Sequence, residues 1–174
     1  MLRICLIISV VCATGTTMPL PDLFSYSPAV GGGSGTEFTT ANEGCITGIK
    51  IWEYPSNYIY GLQLKYDTNW TTTIGSENGN PQVMEFYEKE YITQISGKYD
   101  ASYIYELIFV TNLGRFLKVG QSSGNSFNIY PAQRGSDLRF LSIRTNGWAI
   151  TSIGAHWSVI RNCDMSVNTA IKKV

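Results

Sequence analysis

The chain has 174 residues, 44% apolar and 13% aromatic, which is the length and composition of one folded domain. Its 13 basic and 13 acidic residues cancel, which argues against a general electrostatic affinity for nucleic acid or anionic membranes. Only a local basic patch could serve such partners.

Residues 1–13 have the form of a signal peptide. Arg3 supplies a short basic start, Ile4 to Val11 an apolar run, and Val11-Cys12-Ala13 a cleavage site with small residues. The run is too short for a permanent bilayer span, and no later segment is long and apolar enough to be one. Residues 14–28 are rich in Pro, Ser and Thr and read as an extended, poorly ordered lead-in. Gly31-Gly32-Gly33-Ser34-Gly35 follows, either as a flexible linker or as a loop whose backbone approaches something closely.

The body, residues 29–161, reads as strands, because Tyr, Ile, Thr and Gly dominate and no segment has helical periodicity. One pattern is written three times. Ile46 to Ile51, a turn and Tyr58 to Leu64 form the first copy. Ile92 to Gly97 with Tyr103 to Phe109, and Leu138 to Ile143 with Trp148 to Gly154, form the others. The leading residues Ile46, Ile92 and Leu138 are evenly spaced, as are Ile59, Ile104 and Ile150. Such a period marks copies of one small unit that buries its apolar face only against its neighbours, so three sheets sharing a core are expected.

A second pattern lies between the copies. Ile74-Gly75 followed by Gly79 returns as Val119-Gly120 followed by Gly124. Gly124-Asn125-Ser126-Phe127 also echoes Gly35-Thr36-Glu37-Phe38, so the start of the chain should complete the third unit. Asn69-Trp70-Thr71 is an N-glycosylation sequon in a polar stretch, where an accessible loop or hairpin is expected. Residues 162–174 form a C-terminal tail of mixed polarity.

Secretion governs the reading of the cysteines. Cys5 and Cys12 would leave with the signal peptide, and the remaining pair, Cys45 and Cys163, favours a disulfide in an oxidising compartment. Two buried thiols or an intermolecular bond are the alternatives. No catalytic or metal cluster emerges. The single histidine, His156, has no Ser, Cys or Asp pattern around it and reads as structural. No zinc, copper or calcium ligand set is visible, so no metal or other cofactor is expected, and the chain does not read as an enzyme. The glycine stretch lacks the Lys-Ser/Thr ending of a phosphate loop. Loops on a rigid β scaffold suit a binding module.

Several segments resemble the jacalin-related lectins. They are Gly35-x-x-Phe38, Gly61-Leu62-Gln63-Leu64-Lys65-Tyr66, Ile95-Ser96-Gly97-Lys98-Tyr99, Leu107 to Arg115, Ser126-Phe127-Asn128 and Ile153-Gly154-Ala155-His156-Trp157. Their order and spacing carry the likeness, which runs from about Gly31 to Trp157. The resemblance implies an all-β fold, the β-prism I, with three four-stranded Greek-key sheets about a pseudo-threefold axis. It also implies a shallow carbohydrate site formed by three loops. Carried over by position, the glycine loop holds Gly33 and Gly35. The recognition loop runs from Lys98 to Tyr103 and offers Lys98, Tyr99, Asp100, Ser102 and Tyr103. The binding loop is Gly147-Trp148-Ala149-Ile150-Thr151.

The chain departs from the family at Thr151, where the usual residue is an Asp whose carboxylate accepts from two sugar hydroxyls. A neutral hydroxyl cannot accept in that bidentate way, so binding of mannose-type sugars should be weakened or retuned. An animal branch of the family carries lysines around these loops, which suits sulfated glycosaminoglycans. Here Glu37, Asp100, Ser102 and Glu106 stand there with Lys98, so an anionic polysaccharide is a poorer fit. Trp148 either stacks on a sugar ring or covers the end of the prism. The expected function is a secreted carbohydrate-binding protein, extracellular or in a secretory granule, whose partners are glycans or glycoproteins. Self-association into a homo-oligomer would add avidity. The alternative is a β-prism that no longer reads sugars and serves as an interaction or packaging module in granules or mucus.

Overall fold

The computed structural model describes residues 23–159, and every regular element in that span is a strand. In chain order these are β1 (Phe24–Gly31), β2 (Thr36–Thr39), β3 (Ile46–Glu53), β4 (Ile59–Tyr66), β5 (Asn69–Trp70), β6 (Ile74–Gly75) and β7 (Asn80–Glu85). There follow β8 (Ile92–Tyr99), β9 (Ile104–Thr111), β10 (Phe116–Gly120), β11 (Asn125–Ile129), β12 (Asp137–Thr145) and β13 (Ile150–Ser158). The three repeated segments are the hairpins β3–β4, β8–β9 and β12–β13. Each forms the middle of an antiparallel sheet, and the sheet orders are β1-β13-β12-β2, β10-β9-β8-β11 and β5-β4-β3-β7, with β6 also on β4. This is the expected β-prism. One outer strand is split into β5 and β6, because the side chain of Thr71 takes the Leu64 N–H at 3.2 Å where a ladder carbonyl would stand.

The chain start does complete the third unit, since β1 and β2 flank β12–β13. Ordered structure begins earlier than the sequence reading placed it. Phe24 to Pro28, read there as part of a poorly ordered lead-in, belong to β1. The alternation Phe-Ser-Tyr-Ser suits a half-buried strand, and Trp157 Nε1 donates to Ser27 Oγ at 2.9 Å. Pro28, which has no N–H to give a ladder, falls where the register shifts between Ser27 and Val30. The expected signal peptide, residues 1–13, and the tail, residues 162–174, lie outside the described residues. So does Cys163; Cys45, just before β3, donates its N–H to Asp67 Oδ1 at 3.0 Å.

The hairpins turn their repeated apolar positions inward. Ile49, Ile95 and Leu141 are fully buried, as are Leu62, Leu107 and Ile153 at the equivalent places of the partner strands. Trp157 and Phe109 are the largest fully buried side chains among the described residues.

The outer strands of each sheet are joined by a link that crosses the mouth of the central hairpin. Gly31 and Gly35, Gly75 and Gly79, and Gly120 and Gly124 are the crossing points. A Cβ at Gly120 would stand 2.0 Å from the Tyr105 carbonyl oxygen and 3.0 Å from Ile59 Cδ1, and φ there is +92°. The arrangement is cyclic. Ile59 reaches under Gly120 of the next sheet, Ile104 under Gly31 and Ile150 under Gly75. Evenly spaced isoleucines therefore interlock the three sheets at one end of the prism.

We expect Gly120→Ala to destabilise the domain by about 3 kcal/mol, since backbone must move to admit the methyl group. Gly114→Ala should cost only about 1 kcal/mol, because φ is +76° there but nothing lies within 4 Å. Urea unfolding midpoints of the two variants check the contrast.

Candidate functional site

The turns of β8–β9 and β12–β13 are one motif written twice, 46 residues apart in sequence. Asp100 Oδ1 accepts the N–H groups of Ser102 at 2.7 Å and Tyr103 at 2.8 Å. Asn146 Oδ1 accepts those of Trp148 at 3.0 Å and Ala149 at 3.1 Å. A short polar side chain that bonds its own backbone two and three residues on is a natural turn former. Asp100 also takes the Tyr105 hydroxyl on its second oxygen at 2.9 Å. Burial pushes the Asp100 carboxyl up, but the bonds from Ser102, Tyr103 and Tyr105 outweigh it and hold it below the usual carboxylate range. The Tyr105 hydroxyl is pushed up to about 12 by burial and by its bond to Asp100.

The glycine loop lies over both turns. A Cβ on Gly32 would meet the Ala101 carbonyl, and the Gly32 N–H donates to the Thr151 carbonyl at 2.9 Å. Arg144 Nη1 donates to the carbonyls of Gly33 at 3.2 Å and Gly35 at 3.1 Å, while Nη2 meets Glu37 at 3.1 Å. The glycine run is thus a held loop rather than a linker. Its Gly33 and Ser34 N–H groups make no hydrogen bond among the described residues and are exposed. Asn146 Nδ2 donates to the Tyr103 hydroxyl at 3.0 Å, which ties the second turn to the third. Tyr103 stacks on Tyr58 of the first hairpin with ring centroids 4.0 Å apart. The three loops of the expected site therefore converge at one end of the prism.

Within that cluster the expected residues divide. Gly33, Gly35, Ser102, Gly147 and Trp148 are exposed, and Asp100 and Tyr103 are half-buried. Trp148 is 61% exposed. Ala149 is buried among Trp52, Tyr60, Tyr58 and Tyr103, and Ile150 is buried beneath Gly75. Thr151 is fully buried, and its hydroxyl donates to the Ser34 carbonyl at 2.5 Å. Lys98 and Tyr99 are not brought into the cluster. Lys98 bonds Ser126 Oγ at 2.8 Å on the outer face of its sheet, and Tyr99 packs inward, edge-on to Phe127.

The acidic groups near the loops are already partnered. Glu37 pairs with Arg144, and buried Glu106 takes Lys118 at 3.1 Å and the Ser122 hydroxyl at 2.6 Å. His156 is stacked on Phe140, centroids 4.1 Å apart, with Nε2 3.0 Å from Ser142 Oγ. Burial lowers its pKa, with Glu37 opposing. Three contributors to the cluster were missed from the sequence: Asn146, Arg144 and Tyr58. The Asn146-Gly147 pair, a strong hairpin signal, could have identified the first.

The arrangement has counterparts among known proteins. Residues 27–156 match the family model described as the jacalin-like lectin domain. The human zymogen granule membrane protein 16 is 39% identical over 138 residues, spanning 78% of this chain and 81% of that protein. The crystal structure of a prostate-specific WGA16 glycoprotein lectin superposes with a TM-score of 0.70 at 28% identity, covering 79% of this chain and all of that one. The Calystegia sepium agglutinin superposes with a TM-score of 0.66 at 21% identity, covering 78% and 97%.

Because the folded-state pKa of Asp100 is depressed, its stabilising contribution is full above the unfolded value of about 3.9 and is lost as pH falls through the folded one. Asp100→Asn should therefore lower the thermal midpoint at pH 7. The deficit should shrink steadily below about pH 4, as differential scanning calorimetry across pH 2–7 would read.

Proposed function

The chain belongs to the jacalin-like lectin family, and from that premise we propose that it binds neutral glycans at the three-loop end of the prism, through a site whose carboxylates, Asp100 and Glu37, are already engaged by the protein's own groups. The observation that carries the reading is the combination of exposed Gly33 and Ser34 N–H donors with the open face of Trp148. Sugar hydroxyls can accept from the loop, and the indole offers an apolar face to a pyranose ring. Thr151 retunes the site by holding Ser34 in place, and it makes no direct contact with the sugar.

A second reading has its own support. Asn146 consumes the N–H groups of Trp148 and Ala149, which are the donors the binding loop would otherwise offer a sugar. On that reading the end of the prism is a sugar-blind interaction surface, used for packaging in a secretory granule. The relatives' name, zymogen granule membrane protein, is compatible with either.

We place the protein in the secretory route, with residues 1–13 removed, Cys45 bonded to Cys163 and a glycan on Asn69. Asn69 is exposed at the start of β5, which leaves it accessible to a transferase. Intact-mass measurement of the protein secreted from animal cells should show a chain beginning at Thr14, the mass of a disulfide rather than two thiols, and a loss of mass on treatment with peptide-N-glycosidase. Retention of residues 1–13 or an unmodified Asn69 would remove that part of the proposal.

A glycan array probed with multivalently displayed, folded protein decides between the two readings. We expect binding to neutral glycans that falls about tenfold or more in Trp148→Ala. A blank array would leave the sugar-blind reading in its place.

A further inference from the structure

We propose that the site takes an extended neutral oligosaccharide, which runs from the end of the prism down the seam between two sheets. This rests on the sugar-binding reading above and names the ligand class more narrowly. Two cavities of about 450 and 260 Å³ lie along the seam and share Phe38, Thr73 and Ile74. The upper one begins at Gly35, Asn146 and Gly147, which belong to the three-loop cluster, and the lower one reaches Asn42 and Thr72. Strand β2 forms one wall, and the segment between β5 and β6, with β6 itself, forms the other.

The chemistry of the walls is that of a neutral sugar site. Threonines dominate, and no residue lining either cavity carries a charge. The hydroxyls of Thr36 and Thr72 make no hydrogen bond among the described residues. β2 pairs only with β12, and Thr40 N–H donates to the Leu141 carbonyl at 3.0 Å. By the alternation of an antiparallel ladder, Thr39 then turns its backbone N–H and C=O to the open edge. β2 spans roughly 14 Å at about 3.4 Å per residue, room for about three pyranose rings.

Phe38 supplies the aromatic face. By the sequence echo it is the counterpart of Phe127, which is only 7% exposed. Phe127 stands opposite Gly97, so near that a Cβ there would lie 2.9 Å from its ring. Phe38 stands opposite Ile143, whose side chain is fully buried in the same space, and Phe38 is left 46% exposed in the groove. The pseudo-symmetric partner of a buried aromatic ring has become a free platform.

The test is calorimetric titration with linear, uncharged gluco- and manno-oligosaccharides of one to five residues. Affinity should rise about tenfold from monosaccharide to trisaccharide and then level off in at least one series. Phe38→Ala should remove that gain and leave monosaccharide affinity unchanged. Thr72→Trp, at an exposed position, should narrow the lower half and reduce affinity only for the longer members. Monosaccharide binding with no gain on lengthening, or equal losses at every length in Phe38→Ala, overturns the groove and leaves the three-loop site standing. No binding at any length by folded protein overturns both.

Discussion

The fold turns on backbone-to-backbone crossings at one end of the prism. Each sheet sends a link over the mouth of its own central hairpin, and the glycines at the crossings leave room for the carbonyls they meet. An isoleucine of the neighbouring sheet closes each crossing from below, at Ile59, Ile104 and Ile150. A close-packed interior transmits any displacement there to the adjoining sheet. The same crossing places the glycine loop on the turns of β8–β9 and β12–β13. The candidate binding surface is thus a by-product of how the sheets are locked.

Polar groups at that end are used economically. Asp100 and Asn146 close their turns by taking two N–H groups each, Arg144 holds two glycine-loop carbonyls, and Thr151 holds the carbonyl of Ser34. The Gly33 and Ser34 N–H groups and the Trp148 ring are left to face solvent. A carboxylate at position 151 would be set against the Ser34 carbonyl, acceptor against acceptor, unless the loop moved. The threonine and the present loop conformation therefore suit each other.

Much of the architecture was legible in the sequence. The spacing of Ile46, Ile92 and Leu138 marked the three hairpins, and the echo between Gly35 and Gly124 assigned the chain start to the third sheet. Strand pairing hides a different kind of information. Phe38 and Phe127 occupy equivalent places in the echo, yet one is exposed and the other buried, because Ile143 and Gly97 stand opposite them. Cross-strand neighbours of that sort lie far apart in sequence. Likewise Lys98 and Tyr99 fell within the recognition segment by position, but strand alternation directs one to the outer face and the other inward. Thr151 drew notice only through the family resemblance, which led to the expectation of an Asp there. Its burial beneath the glycine loop depends on a contact across more than a hundred residues.

The third sheet joins the two extremes of the described chain. β1 and β2 pair only with strands built from residues 137–158, and Leu23 and Val159 meet there through a 3.0 Å hydrogen bond. During synthesis the glycine loop is made early and must wait for its partners until nearly all of the domain has emerged. The other two sheets have their strands in hand sooner, so the three-loop end is the last part of the molecule to become whole. A chain cut short before β13 would carry the strands of two sheets but lack Ile150, Ile153 and Trp157, so neither the shared core nor the three-loop surface could close, and an intact surface reports that translation has run to the end of the domain.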